Sequence, residues 1–251
     1  MSSAPLFSDR ADAGEQLAQS LVTLVSQLTA AGVAAPPIVY ALPRGGIPVA
    51  VPVARQLGCP VNILVAKKIT TPQNPELAIG AVTSEGHVLW SRQKLSVKMS
   101  SSSQEAAVRQ AQEKAQAQLT QLSLACPEVN PKGALALVID DGIATGMTIA
   151  AATQALRVYE PAQIWNCAPV APVGLSNWLS RWSDRVVVLE TPDPFLSVSR
   201  FYAQFPQVTT EEALVYLQQH NPSYLTNSEQ SPNISPDTST GSSESGEAEL
   251  S

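Results

Sequence analysis

Cysteines and long apolar runs are scarce in this chain of 251 residues. Its three cysteines, Cys59, Cys126 and Cys167, are far apart and odd in number, which excludes a disulfide framework and a zinc pattern. No uninterrupted apolar run is long enough to span a bilayer, and the first residues lack an apolar signal core. We therefore expect a cytoplasmic protein with no membrane partner.

Positive charge is also in short supply. The formal net charge is −6, and five of the 21 acidic residues lie in 221–251, a segment without Lys or Arg. The rest of the chain has 16 acidic against 15 basic residues, so no basic nucleic-acid-binding surface is predicted. An anion site, if present, must depend on local geometry.

Two common nucleotide-binding patterns are missing, namely Gly-x4-Gly-Lys-Ser/Thr and Gly-x-Gly-x-x-Gly. The most informative feature present is the segment 135–148. Its apolar run predicts a buried parallel strand, which ends in the adjacent carboxylates Asp140 and Asp141. A loop of small residues follows, and then a helix is predicted over 146–157. An Asp-Asp-Gly turn without function is the alternative, but the order of strand, acidic pair, loop and helix disfavours it.

Each part of this segment suits one part of a ribose 5-phosphate. Backbone N–H groups of the loop, the following helix N-terminus and the hydroxyls of Thr145 and Thr148 favour an anion. The acidic pair instead suits a diol or a divalent cation beside that anion. A second glycine-rich loop over 42–46 has the same position between a predicted strand and helix, and Arg44 adds a bidentate guanidinium. Its alternative interpretation is a turn with a solvated Arg44.

At these residues the chain resembles the type I phosphoribosyltransferases, and more closely a bacterial group of predicted phosphoribosyltransferases. The shared motifs are Asp-Arg-x-x-Ala-Gly at 9–14, Leu-Pro-Arg-Gly-Gly at 42–46, Asn-Pro-Glu-Leu-Ala at 74–78, the segment around 140–148, and Phe-Tyr-x-x-Phe at 201–205. The resemblance covers roughly residues 7–220.

The resemblance implies a role for each motif. The residues of the 5-phosphate loop would be Ala144, Thr145, Gly146, Met147 and Thr148. Asp140 and Asp141 would act on the ribose of phosphoribosyl pyrophosphate (PRPP), and Mg2+ would bridge the pyrophosphate and the ribose hydroxyls. Pyrophosphate would be bound by Arg44, Gly45, Gly46 and Lys68. Lys67 stands where the family usually has Arg, and paired lysines at a strand end can also simply face solvent.

The implied fold class is α/β, with a mainly parallel central sheet flanked by helices and a small hood formed by the terminal segments. Hydrophobic periodicity and caps predict helices over 10–31, 47–57, 102–124, 146–157, 173–182 and 209–219, and strands over 38–42, 61–66, 135–140, 163–168 and 186–190. A hairpin is predicted over 78–83 and 87–90. We expect one domain over 1–220 and a disordered, acidic, serine-rich tail over 221–251.

Three features remain open between a functional and a structural role. The segment 69–77 is predicted to be a loop that matches the flexible lid of the family, with Glu76 as its anchor or as a base. Phe195, Phe201 and Tyr202 could stack on a planar acceptor or close the core. His87 is expected on the hairpin surface.

The activity implied is transfer of 5-phosphoribosyl from PRPP to a nitrogenous base, or the reverse, and a homodimer is one assembly compatible with it. The alternative is a non-catalytic regulator that senses PRPP or a nucleotide.

Overall fold

The structure is a computed structural model that describes residues 5–71, 74–91 and 99–222, without the side chains of Pro75 and Glu76. The helices are α1 Arg10–Ala30, α2 Gly46–Leu57, α3 Ser101–Leu122, α4 Met147–Arg157, α5 Leu175–Leu179 and α6 Thr210–His220. The strands are β1 Pro37–Ala41, β2 Val61–Ile63, β3 Ala66–Thr71, β4 Asn74–Thr83, β5 Val88–Trp90, β6 Leu135–Ile139, β7 Gln163–Val170 and β8 Arg185–Glu190.

Five strands form a parallel sheet in the order β2-β1-β6-β7-β8. Its side chains alternate between two cores, because neighbouring residues of a strand point to opposite faces. Val39 of β1 packs in one core, with residues of α1, α2 and α6, whereas Tyr40 packs in the other, with residues of α4. Burial on both faces explains why β6 is apolar throughout. The predicted α/β class with a mainly parallel sheet is confirmed.

A second sheet of three antiparallel strands has the order β3-β4-β5. The predicted hairpin over 78–83 and 87–90 is its β4–β5 part, but the predicted loop over 69–77 is wrong. Residues 66–71 and 74–83 pair as strands, with a register irregularity at Thr70. The polar, proline-containing sequence of this segment hid a strand pair whose partners are set by tertiary contact. The predicted strand over 61–66 is likewise divided between β2 and β3.

The two terminal segments meet beside the sheet. Phe7 forms a parallel β-bridge with Tyr202. The Phe7 N–H donates to the Phe201 carbonyl at 3.0 Å, and the Ala203 N–H donates to the Phe7 carbonyl at 2.8 Å. Phe7, Phe201 and Tyr202 share a small apolar cluster with Val170 at the end of β7. The terminal segments therefore pack against each other, and their role as a hood stays a prediction.

Helix boundaries follow the predictions closely, with one correction: the helix predicted over 173–182 is only α5. Asp9 is the N-cap of α1, since its carboxylate accepts from the Asp12 N–H at 2.9 Å. Ser100 caps α3, and a capping box of Thr209 and Glu212 begins α6.

The folded domain reaches at least Asn221, one residue beyond the predicted boundary. The Asn221 side chain is buried and bonds to the backbone N–H and C=O of Val61 and the C=O of Ala125. The rest of the predicted tail, apart from Pro222, lies outside the described residues. Cys59 and Cys167 are buried free thiols. In the described ranges, no helix is long and apolar enough to cross a membrane.

Candidate functional site

The two predicted anion loops leave the carboxyl ends of β1 and β6, which are neighbours in the sheet. Ala41 pairs with Ile139, and the Leu42 N–H donates to the Ile139 carbonyl at 2.9 Å. A Cβ on Gly46 would lie 2.6 Å from that same carbonyl oxygen, so only glycine lets the loops approach this closely. Strand order reverses direction between β1 and β6, which is where open α/β sheets bind ligands.

The acidic pair lies between these loops. The Asp140 carboxylate accepts from the Asp141 N–H at 2.9 Å, and the Tyr202 hydroxyl donates to the Asp141 carbonyl at 2.5 Å. A Cβ on Gly45 would clash with Asp141 Oδ2 and lie 2.7 Å from the carboxyl carbon, so the backbone of the first loop packs directly against this carboxylate. The structure therefore brings the predicted ribose and pyrophosphate residues together.

Burial and mutual repulsion dominate the electrostatics of the pair. Desolvation and the nearby Asp141 charge raise the pKa of Asp140 well above its ordinary value, against the opposing charges of Arg10 and Lys68. Desolvation also raises the pKa of Asp141, against a hydrogen bond and charge from Arg10. Carboxylates that are costly to ionise favour a cation or a developing positive charge beside them.

Arg10 is a site residue to which the sequence interpretation assigned no role. Its Nε donates to Asp141 Oδ2 at 2.8 Å, and only 10% of its side chain is exposed. A signal was present, because Arg10 begins the buried helical stripe that continues through Ala13, Gly14 and Leu17. A charged residue on an apolar stripe needs a buried partner.

The predicted 5-phosphate loop, residues 144–148, contains both exposed and buried residues. Ala144 and Thr145 are exposed, Thr148 is half-buried, and Gly146 and Met147 are buried. Gly146 is the N-cap of α4 and has φ +75°, the left-handed region that favours glycine. Among the described residues no side chain caps this helix end, so its first N–H groups remain suited to an anion.

The predicted pyrophosphate residues come from two elements. Arg44 and Gly45 are half-buried in the loop before α2, and an Arg44 guanidinium N–H donates to Thr210 Oγ1 at 3.2 Å. Lys68 is exposed on β3. Desolvation, followed by the charges of Arg44 and Lys114, lowers the pKa of Lys67. Arg44, Lys67 and Lys68 thus place positive charge at one edge of the site.

A cavity of about 690 Å3 joins β3 to the predicted 5-phosphate loop. Lys68, Thr145 and Met147 line it, together with Trp178 and Trp182 on and after α5. Lys68 and this loop therefore face one cleft, although they were predicted to bind different phosphate groups.

The three aromatic candidates differ in their exposure. Phe201 and Tyr202 are buried, and the Tyr202 ring lies 5.3 Å from that of Phe7. Their burial favours the core-closing alternative. Phe195 is only half-buried, with its ring 5.2 Å from that of Phe201. His87 is part-exposed between β4 and β5, as expected, and the Glu76 side chain lies outside the described residues.

The site's own residues offer carboxylates but no complete metal cage. Across the described ranges, no group of three or more His, Cys, Asp or Glu side chains could hold a metal ion. Asp140 and Asp141 nevertheless fit Mg2+, which proteins commonly bind through one or two carboxylates plus substrate phosphates.

The sheet order and the two loops at its switch point define the type I phosphoribosyltransferase fold. The chain belongs to the phosphoribosyl transferase family, because the model described as "Phosphoribosyl transferase domain" matches residues 11–175.

Similar known proteins carry names of the same family. "Putative phosphoribosyl transferase Rv0571c" and "Putative phosphoribosyl transferase MT0597", from two strains of Mycobacterium tuberculosis, are each 34% identical over 213 residues. The match covers 84% of this chain and 46% of theirs, so the chain spans about half the length of these relatives. The crystal structure of TT1426 from Thermus thermophilus has 30% identity and a TM-score of 0.68, over 85% of this chain and 98% of that one.

Proposed function

We propose that this protein transfers the 5-phosphoribosyl group of PRPP to a small nitrogenous base, or catalyses the reverse reaction. The observation that carries this proposal is the acidic pair held between two glycine-rich loops at the switch point of the sheet. The loops offer two anion sites, and the pair offers hydrogen-bond acceptors between them. PRPP has a phosphate at one end, a pyrophosphate at the other and a diol between.

The roles follow from position. Backbone N–H groups of residues 144–148 would bind the 5-phosphate, with Thr145 and Thr148 adding hydroxyls. Arg44, Gly45, Gly46 and Lys68 would bind the pyrophosphate. The half-buried ring of Phe195, at the terminal hood, is the aromatic candidate for contact with a planar acceptor.

In the forward reaction, the bond from ribose C1 to the pyrophosphate oxygen breaks and the oxygen keeps the electron pair. The acceptor nitrogen forms the new bond to C1, and its proton is released. Positive charge grows on the ribose ring in between, and the carboxylates of Asp140 and Asp141 stabilise it. Catalysis of this kind needs positioning and charge, with no covalent enzyme intermediate.

Mg2+ would neutralise pyrophosphate charge when bound. The carboxylates of Asp140 and Asp141 would face it from the protein side, which agrees with the cost of ionising them without a cation. The cation would thereby favour the ionised form of the pair.

The test is pyrophosphate release from PRPP with Mg2+ and a panel of purine and pyrimidine bases. Turnover with at least one base is expected, and Asp141→Asn should reduce kcat at least about 100-fold while PRPP still binds. Glu160→Gln is the control, since Glu160 is an exposed carboxylate that pairs with Lys132 on the surface. PRPP binding without turnover by any base would support a nucleotide-sensing regulator and contradict the enzyme.

A further inference from the structure

Arg10 is held in one position by three different contacts. Besides its bond to Asp141, it donates from Nη1 to the Pro206 carbonyl at 2.7 Å, and its guanidinium carbon lies 3.6 Å from the centre of the Phe205 ring. The helix that begins at Arg10 is anchored by the Asp9 cap. An arginine with bonds at two nitrogens and a ring beneath its plane has little rotational freedom left.

These contacts also fix the position of the Asp141 carboxylate. Arg10 bonds to Oδ2, and Gly45 packs against the same oxygen, so the carboxylate is fixed in position at Oδ2. The Tyr202 hydroxyl also donates a hydrogen bond to the backbone carbonyl of Asp141. Side chain and main chain of Asp141 are therefore both fixed by the terminal segments, which lie outside the two loops that would bind PRPP.

We propose that Arg10 is a positioning residue: it orients the Asp141 carboxylate toward the ribose without touching the substrate. This inference rests on the proposed function. With this role for Arg10, both terminal segments contribute to catalysis, because Phe205 and Pro206 follow β8 and Arg10 lies at the start of α1. A carboxylate displaced by about 1 Å from its productive place can cost two orders of magnitude in rate.

The experiment compares Arg10→Met, Arg10→Lys and wild type in steady-state turnover of PRPP, well below the melting temperature of each variant. Arg10→Met should lower kcat about 100-fold and change KM for PRPP less than about threefold, because both phosphate sites remain. Arg10→Lys should recover part of kcat, since it keeps the charge but cannot make both bonds. Phe205→Leu removes the ring beneath the guanidinium, which also lies 4.8 Å from the Tyr202 ring, and should lower kcat less than Arg10→Met.

Arg157→Met is the matched control, because Arg157 also pairs with an aspartate, Asp184 at 2.9 Å, but on the exposed surface. It should leave kcat and KM unchanged. A readout independent of turnover is the melting temperature of Arg10→Met, Asp141→Asn and the double variant, which should be non-additive if the pair forms in solution.

Three results separate the outcomes. Wild-type turnover with an unchanged kcat in Arg10→Met would overturn the positioning role. Additive melting shifts would overturn the contact itself. Absence of turnover in wild type would defeat the proposed function, whereas non-additive shifts would still support the Arg10–Asp141 pair.

Discussion

Gly45→Ala is the sharpest test of the site geometry, because its effect can be traced to a single contact. Gly45 has φ −61° and ψ −33°, values that alanine adopts without strain. The added Cβ, however, would clash with Asp141 Oδ2 and lie 2.7 Å from the carboxyl carbon. The carboxylate or the loop must move, and a movement of the carboxylate breaks its contact with Arg10.

The magnitude follows from what is lost. A hydrogen bond between charged groups contributes about 1.5–3 kcal/mol. An off-rotamer side chain adds about 1 kcal/mol, and part of the total is regained by relaxation. We expect a loss of about 2 kcal/mol in unfolding free energy, which corresponds to a melting temperature lower by about 4–8 °C in a domain of this size. Turnover should fall about 100-fold, because the displaced carboxylate no longer faces the ribose.

The assay is calorimetric melting in two backgrounds, wild type and Asp141→Ala. The Asp141→Ala background removes the atoms that the new Cβ would meet, so Gly45→Ala should then cost less than about 0.5 kcal/mol. An equal loss in both backgrounds would contradict the proposed clash with Asp141, since the added Cβ would then meet some other part of the protein.

Two further predictions concern charge and phosphate recognition. Burial raises the pKa of Asp140 in the native state above its ordinary 3.8. Between about pH 4 and this raised pKa, the native state therefore binds more protons than the unfolded state. The free energy of unfolding falls as the pH rises through this range. Asp140→Asn should remove the part of this fall that Asp140 contributes and raise the melting temperature at pH 7 by a few degrees; an unchanged melting curve at pH 7 would contradict it. By calorimetry, Thr145→Val should weaken the binding of PRPP more than the binding of free pyrophosphate, and Arg44→Ala should have the opposite effect. Equal losses of affinity for both ligands in both variants would show that the two phosphate sites are wrongly assigned.

Much of the fold could be predicted because its signals are local. The apolar run before Asp140 is uninterrupted, which is typical of a strand buried on both faces. The left-handed Gly58 ends α2, and Thr209 and Glu212 form a capping box at α6, so both boundaries follow from nearby residues. The positions of the loops at 42–46 and 140–148, at strand ends, can be predicted for the same reason.

The second sheet could not be predicted in full. β3 contains Lys67, Lys68 and two threonines, and β4 begins with polar residues, so neither shows the apolar alternation of a half-buried strand. Their pairing depends on packing against α3 and α4, which are distant in sequence: Ile69 and Ile79 share an apolar cluster with Ala111. Polar strands of this kind resemble loops until their partners are known.

Within the site, the acidic pair and both glycine-rich loops can be predicted from the sequence, because each is a contiguous motif beside a strand end. Three features instead depend on tertiary packing: Arg10 bonds to Asp141, Gly45 packs against the same carboxylate, and Phe201 and Tyr202 are buried. Those contacts join residues that are distant in sequence. No local propensity encodes them, since they arise when parallel pairing of β1 with β6 and docking of both terminal segments bring distant parts of the chain to one edge of the sheet.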